Sequence, residues 1–128
     1  MRVATVSPKG ARALLVLAHG AGAGMRHAFM ESLADALAQH KIATLRFEFP
    51  YMAEGKRRID AYDVLEQSLL DAVKRARRRK LPVFAGGKSM GGRITSMVAA
   101  RGLLDDVRGL VFFGYPLHAA NKPAIKRA

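Results

Sequence analysis

The sequence predicts an α/β fold: a mostly parallel sheet flanked by helices in three layers, formed by one domain over residues 1–128. Three observations predict it. Fully apolar runs at 13–18, 81–85 and 109–114 read as buried strands. Helical periodicity fills the intervals between strands, at 27–40, at 60–79 and after Gly92. Right-handed crossovers then place successive strands parallel, with ligands expected beyond their carboxyl ends.

Each element has its own justification. Residues 2–6 alternate and predict a short strand, and Ser7-Pro8-Lys9-Gly10 makes a turn. The run at 13–18 stops at His19-Gly20, and Ala21-Gly22-Ala23-Gly24-Met25 follows as a small-residue loop. In the helix at 27–40, Phe29, Met30, Leu33, Ala34 and Leu37 share one face. Residues 42–47 form the next strand, and a long loop runs from Glu48 past Arg58. In the helix at 60–79, Tyr62, Leu65, Leu69 and Val73 form the buried stripe. Its acids come early and its basic residues late, which complements the helix dipole. The strand at 81–85 is ended by Gly86 and Gly87, and the following helix carries Ile94, Met97 and Val98. A link at 102–107 leads to the last buried strand, 109–114, and a small, polar, basic tail.

Composition bounds the function. A chain of 128 residues, half of them apolar, has a core and is not expected to be disordered. There is no cysteine, which removes disulfides, thiolate metal sites and cysteine nucleophiles together and suits a reducing cytoplasm. No apolar run approaches a membrane span, and the first residues do not read as a signal peptide. No metal and no cofactor is expected.

Gly87-Lys88-Ser89-Met90-Gly91 fits G-x-S-x-G between a strand and a helix, the context that motif requires. A turn this tight strains the serine backbone, and the glycines two residues away avoid collisions. The bland alternative is a glycine-rich βα turn with an incidental serine. A phosphate loop is ruled against because Pro82 stands where its first glycine must be. Acyl transfer needs a nucleophile, a base and donors for an oxyanion. Ser89 is the expected nucleophile, a nucleophile elbow, with the backbone N–H of Met90 as first oxyanion donor. The loop His19-Gly20-Ala21-Gly22 should supply the second, from Ala21, with Gly22 as the neighbour to which it can slip. His19, Gly20, Gly22, Tyr51, Lys88 and Tyr115 are the expected substrate-binding residues. Phe49, Tyr51, Met52 and Tyr115 form either the wall of an acyl pocket or a cap on the core.

Four stretches carry a resemblance: His19-Gly-Ala-Gly-Ala-Gly-Met25, Thr44-Leu-Arg-Phe-Glu-Phe-Pro-Tyr51, Phe84-Ala-Gly-Gly-Lys-Ser-Met-Gly-Gly-Arg93 and Val111-Phe-Phe-Gly-Tyr-Pro-Leu-His118. The chain resembles the α/β-hydrolase superfamily. It is most similar to a small, dienelactone-hydrolase-like branch that includes a regulatory subunit of a histone acetyltransferase complex. The resemblance implies a partial α/β-hydrolase fold, with strand order 2–6, 42–47, 13–18, 83–86, 109–114 and the first strand antiparallel. It implies a serine hydrolase acting on a carboxylic ester. Family members continue to an acid and then a histidine, and this sequence ends before either. After Ser89 the carboxylates are Asp105 and Asp106, at the wrong edge of the sheet, and the one histidine is His118. His118 is read either as a base or as a loop histidine, and the resemblance favours the loop. Activity is expected to be weak or absent, and a non-catalytic interaction module is the alternative.

The net charge is +12, from 22 basic and 10 acidic residues. Six of the seven residues at 74–80 are basic, but they precede the central strand and so lie opposite Ser89. They read as a solvated helix end. Nucleic acid is not expected, since no aromatic residues interleave these charges. Arg26, Lys56, Arg57, Arg58, Lys88 and Arg93 belong to the serine's edge and point to an anionic small-molecule ester. The apolar edge at 109–114 offers a surface for self-association.

Overall fold

In a computed structural model of the chain, residues 1–114 are described. The order is β1 (Val3–Val6), β2 (Ala13–Ala18), α1 (Ala28–Gln39), β3 (Ile42–Phe47), α2 (Pro50–Ala53), α3 (Tyr62–Arg77), β4 (Val83–Lys88), α4 (Met90–Ala100) and β5 (Leu110–Phe113). The sheet runs β1-β3-β2-β4-β5, with β1 antiparallel to β3 and the other pairs parallel. Ala18 pairs with both Phe47 and Gly87, and Lys88 pairs with Phe113. The carboxyl ends of β2, β3, β4 and β5 therefore share one edge, and the segments after β2, β3 and β4 converge there.

Alternation along β2 divides the core. Leu14, Val16 and Ala18 join Leu65, Leu69 and Val73 of α3 and Ile94 and Val98 of α4 in one buried cluster. Leu15 and Leu17 point the other way, to Met30, Leu33 and Leu37 of α1. Buried on both faces, β2 has to be a continuous apolar run.

Several sequence expectations are corrected. Gly86 and Gly87 do not end β4, which continues to Lys88 because β2 and β5 pair with it on both sides. The segment after β3 is not all loop: Phe49 caps α2 and Pro50 takes its first turn, where a missing N–H costs nothing. The helix expected over 60–79 spans Tyr62–Arg77, and Asp60 stands before it, accepting the Tyr51 N–H at 2.9 Å. Strand β5 is not buried. Leu110 and Phe112 are 36% and 41% exposed, because β5 is the edge strand among the described residues.

Candidate active site

Ser89 stands where β4 turns into α4, at φ 52° and ψ −114°. A side chain at positive φ is strained, and this ψ falls outside even the left-handed helical region. The turn is held on both sides. The Ser89 N–H donates to the Phe113 carbonyl at 2.9 Å, and the Ser89 carbonyl accepts from the Arg93 N–H at 3.1 Å. Gly87 and Gly91 make the corner passable. A Cβ on either would collide with the Ala18 carbonyl of β2.

The strained corner determines where the hydroxyl goes. A serine at a helix N-cap ordinarily folds its oxygen back onto the first N–H groups of the helix. Ser89 is the N-cap of α4 and makes no such bond. Its side chain, half-buried, lines an open cleft of about 290 Å³. Met90 occupies the first helical position, whose N–H has no acceptor one turn back within the helix.

The opposite wall is the 20–23 loop, and Gly20, Ala21, Gly22 and Ala23 all line the cleft with Lys88 and Ser89. Gly20 and Ala23 pair across an isolated antiparallel bridge, so Ala21 and Gly22 form the exposed tip of a tight turn. A Cβ on Gly20 would lie 3.7 Å from the Ser89 Cβ, which measures how closely loop and serine approach.

Two residues expected to touch substrate are instead buried beneath this loop. His19 is 0% exposed and Tyr51 is 2% exposed. The His19 Nε2 accepts the Phe49 N–H at 3.1 Å, and its Nδ1 lies 2.6 Å from the Gly20 carbonyl. These partners assign the proton to Nδ1. Burial lowers the imidazole below its ordinary value of 6.5, against the opposing pull of the Gly20 carbonyl and Glu48. Neutral, buried and engaged at both nitrogens, His19 ties the two loops together. The Tyr51 hydroxyl donates to the Ala21 carbonyl at 2.7 Å. Burial, and the Asp60 carboxylate after it, push this phenol above its ordinary range, so it stays a donor. Phe49 packs edge-on against His19 and Phe47, at 5.0 and 5.1 Å between centroids. Of the two readings of Phe49 and Tyr51, the core cap is the one their burial supports.

The charged residues expected at this edge separate. Lys88 lines the Ser89 cleft, whereas Arg26 lines a different groove with Arg2 and Glu48. Lys56 pairs with Glu54 at 2.8 Å. The basic stretch at 74–80 precedes β4, about 20 Å from its far end at the rise of an extended strand. Tyr115 and His118 lie outside the described residues.

Sequence reasoning assigned nothing to His27, yet it lines the cleft and caps α1, its Nδ1 accepting the Phe29 N–H at 3.3 Å. Arg46 was also missed. Buried at 3% exposure, it donates to the Met25 carbonyl and to Glu31, both at 2.9 Å, and so pins the loop and the first turn of α1. A charged residue inside an apolar strand was the available signal. Among the described residues, no group of three or more His, Asp or Glu side chains is arranged to hold a metal, and no helix is long and apolar enough to cross a membrane.

The family model described as Alpha/beta hydrolase domain matches residues 11–128. The chain belongs to that family. Solved α/β-hydrolase structures agree on the fold. An alpha-beta serine hydrolase homologue from Coxiella burnetii superposes with a TM-score of 0.74 at 22% identity, covering 90% of this chain and 57% of that one. Dienelactone hydrolase from Anabaena variabilis gives 0.71 at 24% identity, covering 86% and 55%. A serine hydrolase without lid from Xanthomonas campestris gives 0.70 at 21% identity, covering 97% and 58%. This chain thus spans a little over half the length of these α/β hydrolases.

Proposed function

We propose that this chain is a serine hydrolase domain that transfers the acyl group of a carboxylic ester to water. Ser89 is the nucleophile, and the Met90 and Ala21 N–H groups are the donors to the oxyanion. In the first step a bond forms from the Ser89 Oγ to the carbonyl carbon, the ester C–O bond breaks, and the serine proton leaves with the alcohol. Water then releases the acid and restores the hydroxyl. The observation that carries this reading is the Ser89 corner: a positive-φ serine at a helix N-cap whose side chain makes no capping bond and lines an open cleft.

No histidine among the described residues serves as the base. His19 is buried and engaged, His27 has its Nδ1 on the Phe29 amide, and His40 caps the far end of α1. His118 is the candidate left in the sequence. The described donors without a base would by themselves retain roughly 10³–10⁴-fold over water, which sets the weak turnover this reading expects of them alone. The dienelactone-hydrolase-like branch with its acetyltransferase-subunit relatives and a cytoplasmic setting suited to a cysteine-free chain both belong to this reading.

Labelling with a neutral alkyl fluorophosphonate tests it, since displacement of fluoride needs the nucleophile and the donors together. The wild type should be labelled at Ser89 and Ser89→Ala should not. Labelling that persists in the variant, or a wild type that never reacts, removes the reading.

A second reading is a non-catalytic module that self-associates through β5. Exposure of that strand and an apolar hollow of about 350 Å³ beside Val111, Phe113 and Leu37 favour it. A monomer at high concentration by light scattering removes it.

A further inference from the structure

Among the described residues lining the Ser89 cleft, Lys88 is the one lysine or arginine, and none is acidic. Its Nζ sits 5.1 Å from the centroid of the Phe29 ring, and that ring packs edge-on against Phe113 at 6.4 Å. The ammonium is therefore held over an aromatic shelf built by α1 and β5. A cation over a ring is attracted but not neutralised. The acid of the first turn of α1, Glu31, is paired with Arg46 at 2.9 Å, and the ion pairs of the described residues give Lys88 no carboxylate.

His27 lines the same cleft. Its Nδ1 accepts the Phe29 N–H, so in the neutral ring the proton is on Nε2. The described residues of the cleft beside the serine thus supply a positioned cation, an imidazole and backbone from 20–23, and none of their side chains is acidic.

We infer that the Ser89 cleft selects an ester that bears a carboxylate, and that Lys88, with His27, is the subsite that binds it. The inference deepens the hydrolase reading and rests on it. Lys88 acts as a specificity-determining residue rather than a proton-transfer group.

The experiment compares fluorophosphonates as probes. One has a terminal carboxylate on its P-alkyl chain, one has it on its O-alkyl chain, and each is paired with its methyl ester. In the wild type at least one carboxylate probe should label Ser89 about tenfold faster than its methyl ester, and added salt should shrink that ratio. Lys88→Met should bring the ratio to about one, while Lys88→Arg, which keeps the charge, should preserve most of it. Comparing rates within one variant cancels any effect of the substitution on folding or on the serine itself. Equal rates for both pairs in the wild type, with Ser89 still labelled, overturn this inference and leave the hydrolase reading standing. A preference undiminished in Lys88→Met also overturns it. If no probe labels Ser89, the hydrolase reading fails and the inference falls with it.

Discussion

The Tyr51 hydroxyl donates to the carbonyl of Ala21 across 2.7 Å, from a ring that is 2% exposed. One peptide of the exposed 20–23 turn is thereby anchored to the core. The anchor is itself held, because Asp60 accepts the Tyr51 N–H. Tyr51→Phe keeps the ring and removes the bond. It should cost about 1 kcal/mol in denaturant unfolding. It should also slow labelling of Ser89 about tenfold, less than the roughly 10²–10³ of losing an oxyanion donor outright. An unchanged labelling rate would show that the turn holds its position without Tyr51.

Strain at Ser89 separates two substitutions that both remove the hydroxyl. Alanine keeps a Cβ at φ 52°, whereas glycine relieves it. Ser89→Gly should be more stable than Ser89→Ala by about 1 kcal/mol, although glycine ordinarily costs stability. Urea melts of the two variants measure the difference, and the reverse order would deny the strain.

His19 makes stability depend on pH in a defined sense. Its folded imidazole is held below the ordinary 6.5 by burial, so the unfolded chain takes up its proton first as pH falls. The contribution is complete above about pH 6.5 and is lost progressively below it, toward the lower folded value. Thermal midpoints of the wild type should fall between pH 7 and 5 (about the range in which histidine titrates), and His19→Gln should flatten that slope. An identical slope in the variant would assign the dependence to other groups.

Arg46 is a buried cation, and its partner Glu31 is 43% exposed. Arg46→Met removes the pin on Met25 and the first turn of α1 while filling much of the space. Glu31→Gln leaves the arginine its Met25 carbonyl. Removing one partner of a buried pair costs about 3–5 kcal/mol when the charge left behind is buried, and less when that charge reaches water. Arg46→Met, which leaves Glu31 at the surface, should therefore cost about 1–2 kcal/mol, and Glu31→Gln, which leaves Arg46 buried, should cost more. The order of their unfolding free energies checks the argument.

Much of the fold could be read from the chain because it follows from local rules. A strand covered on both faces must be continuously apolar, and residues 13–18 are. A serine corner between strand and helix must have glycines two residues to either side, and Gly87 and Gly91 stand there. The errors came where neighbours overrode local preference. Gly86 looked like a strand end, but pairing with β2 and β5 carried β4 past it. Residues 109–114 looked buried, but their place at the sheet edge leaves them half in solvent.

The site divides the same way. Periodicity and one short motif were enough to put Ser89, Met90 and the 20–23 loop at one edge of the sheet, because strand direction alone decides which edge a following residue occupies. Which residues face the cleft and which support it from below was decided only by tertiary packing. Tyr51 and His19 carry groups as capable of binding a ligand as those of Lys88 and His27, and nothing local tells them apart. His19 packs against Phe49 and Tyr51, and Phe49 against Phe47, so the first pair is closed into the core with its polar atoms spent on the backbone. The second pair is left at the opening, because no element among the described residues covers it.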